Sequence, residues 1–107
     1  MYEYDILASM KFLSKEKGGR RKLPPIKSTE YTYRPVFMLE NENIGYCCGV
    51  VIGDYIQNYD FDTDLTNIKI LFLRFSELKN KLSVGKQFKL FEGNVVIGVG
   101  YIQKIRE

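Results

Sequence analysis

The sequence predicts an all-β fold, a six-stranded antiparallel closed barrel, and three observations carry that expectation. No segment sustains a helical period, whereas several alternate apolar and polar residues with a period of two, bounded by Gly, Pro, Asn or Asp. Gly98 and Gly100 fall on one parity of the last such segment, a spacing that permits close packing and tight curvature at the corners of a small barrel. The chain has 107 residues, 45% hydrophobic and 27% charged, which suits one core and one domain over residues 1–107, with little volume for a deep substrate pocket.

In chain order the predicted strands are Asp5 to Leu13, Tyr33 to Glu40, Ile44 to Gly53, Asn67 to Ser76, Gln87 to Phe91 and Val95 to Ile105. In the second, Tyr31, Tyr33, Phe37 and Leu39 alternate with Arg34, Val36 and Met38, the pattern of a half-buried antiparallel strand. Pro35 lacks an N–H to donate and places that strand at an edge or a bulge. Cys47 and Cys48 are neighbours on the third strand, so their thiols are expected on opposite faces. Adjacent cysteines cannot form a cross-linking disulfide or a four-thiolate zinc site, and they suit a reducing cytoplasm. Val95, Ile97, Val99, Tyr101 and Ile105 share the parity opposite the two glycines of the sixth strand.

The connections are equally readable. Ser14 to Pro25, punctuated by Gly18-Gly19 and Pro24-Pro25, is an exposed basic loop. Asp54 to Leu65 is acidic and turn-rich. Its Asp60-x-Asp62-x-Asp64 imitates the start of a calcium loop, but Leu65 stands where that loop needs Gly and Leu71 where it needs Glu.

The net charge of +3 hides strong segregation. Residues 11–34 hold eight basic residues, Lys27 among them, against Glu16 and Glu30. Residues 35–64 hold six acidic residues and no Lys or Arg, and residues 65–107 return eight basic residues against three acidic ones. If the two basic segments meet in space, they form a surface for phosphates or for an acidic protein.

Absences point away from catalysis. There is no His, the usual acid/base group near neutral pH and the commonest zinc ligand. No phosphate loop occurs, since Gly85-Lys86 is followed by Gln87 and no glycine stands five positions earlier. Gly98-x-Gly100 lacks the third glycine of a dinucleotide fingerprint. Neither cysteine has a His to serve as its base. The acidic start, Met1-Tyr2-Glu3-Tyr4-Asp5, does not read as a signal peptide, and no apolar run approaches the ~20 residues that span a bilayer. No enzyme is expected, and no cofactor, no metal, no membrane and no small-molecule substrate.

Five short motifs, in order, carry a family resemblance. They are Ser14-Lys15-Glu16-Lys17-Gly18-Gly19-Arg20, Tyr33-Arg34-Pro35-Val36-Phe37, Asn67-Ile68-Lys69, Phe91-Glu92-Gly93-Asn94, and Gly98-Val99-Gly100 continued by Tyr101-Ile102-Gln103-Lys104-Ile105. Together they resemble the third domain of bacterial elongation factor Tu, from about Tyr4 to Glu107, without its GTPase domain. The resemblance implies a six-stranded antiparallel barrel that does no chemistry. In that family the domain contacts the T-stem backbone of aminoacyl-tRNA, packs on the GTPase domain and helps bind the exchange factor.

Carried over residue by residue, the RNA chemistry is only partly kept. Glu92-Gly93 of the R-E-G-G-R loop remains, but Asn94 replaces its second Gly and Val95 its Arg. Val36 replaces a Gln, Gly45 stands at a Thr position, and Ser76 falls where a basic residue is usual, for which Lys79 or Lys81 is the substitute. The candidate binding residues are Lys17, Arg20, Arg21, Lys22, Arg34, Glu92 and Gly93. The expected partner is tRNA or a translation-related protein. The alternative is mimicry, in which the barrel acts as a decoy, regulator or toxin-neutralising protein and binds protein instead of RNA.

Overall fold

The computed structural model describes residues 3–26 and 30–107, so the predicted charge at Lys27 lies outside the described residues. Six antiparallel strands close into a barrel: β1 (Ile6–Phe12), β2 (Val36–Leu39), β3 (Tyr46–Val51), β4 (Leu65–Phe72), β5 (Gln87–Glu92) and β6 (Val95–Ile105). Their order around the barrel is β1, β4, β3, β2, β5, β6, with β6 returning to β1. The expected all-β barrel is therefore the observed fold. No helix among the described residues is long and apolar enough to cross a membrane.

Alternation fills the interior. Ile6, Ala8, Met10 and Phe12 of β1 meet Phe37 and Leu39 of β2, Ile68 and Ile70 of β4, and Phe88 and Leu90 of β5. Phe37 lies at the centre, edge-on to Phe72 with ring centroids 4.8 Å apart and stacked on Phe88 at 4.7 Å. Such pairs contribute about 0.5–1.5 kcal/mol beyond the area they bury.

Three expectations need correction. The fourth strand starts two residues earlier than predicted and ends at Phe72, where the chain turns into a one-turn helix, α1 (Phe75–Leu78). Phe75 and Leu78, three residues apart, are both buried there, so the apolar spacing serves a helical turn. Pro35 marks neither an edge nor a bulge. It precedes β2, where its missing N–H costs no ladder bond, and its carbonyl accepts from the Cys48 amide at 3.3 Å. Third, β2 is shorter than predicted, since Tyr33 makes only an isolated bridge to Val50; on β6, Gly98 and Gly100 pair with Phe12 and Met10, Ile97 is buried, and Val95 and Tyr101 are exposed.

Gly100 marks where β6 and β1 come closest. A Cβ there would lie 2.3 Å from the Ser9 carbonyl oxygen and 2.6 Å from the Met10 Cβ. At the other end Asp5, buried beside β1, locks the barrel's seam. Its Oδ2 accepts from the Phe72 amide at 2.8 Å and its Oδ1 from Arg106 Nε at 3.0 Å.

Candidate binding surface at the basic loop

The loop after β1 is built by its own backbone. Ser14 O accepts from the amides of Lys17 (3.0 Å) and Gly19 (2.8 Å), and Arg20 N returns to Leu13 O at 3.2 Å. This tight reversal needs Gly18 at φ 88° and Gly19 against Leu13, whose carbonyl oxygen would be 2.0 Å from any Cβ. Ser14 N donates to Asp62 Oδ1 at 3.4 Å, and Lys17 pairs with the same oxygen at 3.7 Å. The hydrogen bonds from Ser14, then the Lys17 charge, hold the Asp62 carboxyl below its ordinary range. The acidic segment thus anchors the basic loop. Among the described residues no group of three or more His, Cys, Asp or Glu side chains is placed to hold a metal.

Arg20 reaches across to the β5–β6 hairpin. Its Nη1 lies 2.5 Å from Glu92 Oε2, and its Nε donates to Lys22 O at 3.1 Å. The buried Tyr33 donates its hydroxyl to the same Glu92 oxygen. Burial alone would lower the Arg20 pKa, but the Glu92 hydrogen bond and charge raise it; burial and Glu92 also push the Tyr33 hydroxyl well up. Gly93, exposed at φ 60°, turns the two-residue hairpin that follows.

Of the seven predicted residues, the structure joins Arg20 and Glu92, sets Gly93 next to them, and hangs Lys17, Arg21 and Lys22 on the same loop. Arg21 and Lys22 are exposed, and neither has a side-chain partner among the described residues, as is also true of Lys15. Arg34 stands apart. Its Nε donates to Tyr31 O at 3.2 Å, and it lines a groove of about 310 Å³ with Cys47 and Leu73. Lys79 and Lys81, the substitutes considered for Ser76, are occupied: Lys79 sits 5.8 Å from the Phe75 ring centroid, and Lys81 binds Tyr46 and Glu42. Sequence reasoning missed Tyr33 as the third member of the Arg20–Glu92 cluster, although it opens the Tyr33-Arg34-Pro35 motif. It also missed Asp62, whose acidic run imitates a calcium loop.

Of the positions where RNA contacts were expected to be lost, Val36 and Gly45 lie against each other. A Cβ on Gly45 would fall 2.6 Å from Val36 Cγ1, Val36 pairs with Phe91, and Glu92 pairs with Val95, which is 41% exposed. Val36 and Phe91 share one face of the sheet, whereas Val95, paired with the next residue, Glu92, projects from the other. Comparison of the chain with protein-family models and with curated proteins finds no match.

Proposed function

We propose that this barrel is a non-catalytic, cytoplasmic binding module related to the third domain of elongation factor Tu, and that it engages a translation component through the loop from Ser14 to Lys22. The observation that carries the proposal is the Arg20–Glu92–Tyr33 cluster. It ties together three motifs of the resemblance, far apart in sequence, and leaves Lys15, Arg21 and Lys22 facing solvent. Cations held on a braced loop are suited to a phosphate backbone, which positions a ligand without reading its bases. The favoured ligand is the backbone of tRNA.

A protein partner is the second reading, favoured by Val36 and Val95, which stand where the resemblance expects polar side chains. Valine offers no side-chain donor or acceptor to a phosphate or a 2′-hydroxyl. A surface that keeps its scaffold and loses its polar contacts fits a decoy or regulator. Filter binding with tRNA separates the two readings. For RNA, log affinity falls linearly with log salt, with a slope of about −2 to −3 for three phosphate contacts. Absence of binding at ~50 mM salt overturns the RNA reading, and the protein reading then requires that a purified translation factor bind the barrel and lose affinity when Val95 becomes Asp.

A further inference from the structure

We propose that the outer face of β5, β6 and β1 binds a nucleotide, with its base stacked on Tyr101 and its phosphate held between Lys11 and Lys89. This site is separate from the basic loop and does not depend on it. Strand register builds it. Lys89 and Lys11 both pair with Val99, one from each side, so the two lysines flank a valine two strand spacings apart, about 10 Å. In the next row Tyr101 is paired with Gln87 and Ser9. These six residues line a groove of about 280 Å³, room for one base and its sugar rather than for a folded polymer.

The side chains in this groove are unengaged. Tyr101 is 48% exposed, and neither its ring nor its hydroxyl has a partner among the described residues; Lys11 and Lys89 have none either. Many cations elsewhere face carboxylates: Lys17 with Asp62, Arg20 with Glu92, Arg74 with Glu77, Lys81 and Lys86 with Glu42, and Arg106 with Asp5. Here the two basic segments of the sequence do meet, Lys11 from the first and Lys89 from the second. An exposed aromatic ring beside two unpaired ammonium groups matches a base and its phosphate, because every base has a π-face and every phosphate a charge.

Two carboxylates limit what fits. Glu40 and Asp64 also line the groove, on residues next to β2 and β4, the strands flanking this face. They repel further phosphates, which restricts the site to a single nucleotide, and they accept hydrogen bonds from exocyclic amino groups, which favours adenine or cytosine.

The test is titration of the isotope-labelled protein with AMP and with a short single-stranded oligoadenylate, followed by the Val99 and Tyr101 amide shifts. Tyr101→Ala is expected to weaken binding by about 10-fold or more, while Tyr101→Phe binds like the wild type. Lys11→Gln and Lys89→Gln each reduce the salt slope by about one. Binding of both probes identifies a free nucleotide as sufficient, and binding of the oligomer alone identifies an unpaired nucleotide within RNA. The proposal is overturned if neither probe binds at millimolar concentration, if Tyr101→Ala stays within about twofold of wild type, or if duplex RNA binds as tightly as single strands. Arg21→Gln/Lys22→Gln leaves AMP affinity unchanged, so failure at this groove and failure at the basic loop are seen separately.

Discussion

Cys47 and Cys48 are adjacent in the chain and opposite in environment. Cys47 is exposed, whereas Cys48 is buried with its thiol donating to Pro35 O at 3.4 Å, and burial pushes its pKa well up. Native protein treated with iodoacetamide at pH 8 therefore gains one adduct, at Cys47, and the urea-unfolded protein gains two, as intact mass shows. The Asp5–Arg106 pair is also placed by burial, with side-chain exposures of 4% and 21%. Asp5→Ala strands the Phe72 amide and Arg106, and the expected loss is about 3 kcal/mol or more in urea unfolding. Tyr33→Phe removes only the hydroxyl on Glu92 and costs about 1 kcal/mol. Alkali acts on the same buried groups. Burial raises Cys48 and Tyr33, and burial with the charges of Glu3 and Asp5 pushes Tyr31 up to about 12. The folded chain keeps these protons longer than the unfolded chain. Their contribution is intact below the unfolded values, about 8.5 for Cys and 10 for Tyr, and is lost as pH rises through the folded ones. Melting followed by circular dichroism from pH 7 to pH 11 is expected to be level at first and to fall above about pH 9; a rise there contradicts it.

At the scale of the elements, the β1–β6 seam decides stability. Gly100→Ala forces a methyl into the Ser9 and Met10 backbone, and overpacking of this kind costs about 1–3 kcal/mol. Gly98→Ala meets the flexible Met10 Cε at 3.1 Å first and costs less. Urea midpoints of the two variants check the order, and equal loss would place the close approach elsewhere. All six strands were legible from alternation and punctuation, and β6 matches its expected bounds. The start of β4 was not, because Asp64, Leu65 and Thr66 read as turn and Asn67 takes φ 57° at an irregularity in the β1–β4 pairing. Its end was hidden because Leu71, Leu73 and Phe75 alternate as well as any strand. Arg20 and Glu92 were legible as candidates through their motifs. Their bond to each other, and the separation of Arg34, depend on the closing of the barrel, which local pattern does not encode.

For the whole molecule, closure by β1 and β6 joins the two ends of the sequence, and β2 pairs with β5 across two intervening strands of the chain order. Such non-local pairing predicts one cooperative unfolding transition and folding over about milliseconds to seconds, measurable by stopped flow. Closure also reorganises charge. The acidic segment covers part of the first basic segment through Asp62, and Glu92 neutralises Arg20, so the exposed loop carries fewer free cations than the sequence alone implies. The most direct test of the proposed binding function is therefore the salt dependence of tRNA affinity, compared between the wild type and Arg21→Gln/Lys22→Gln. The account predicts weaker binding and a salt slope shallower by about two in the variant, with melting temperature unchanged. An identical slope in the two proteins would contradict it.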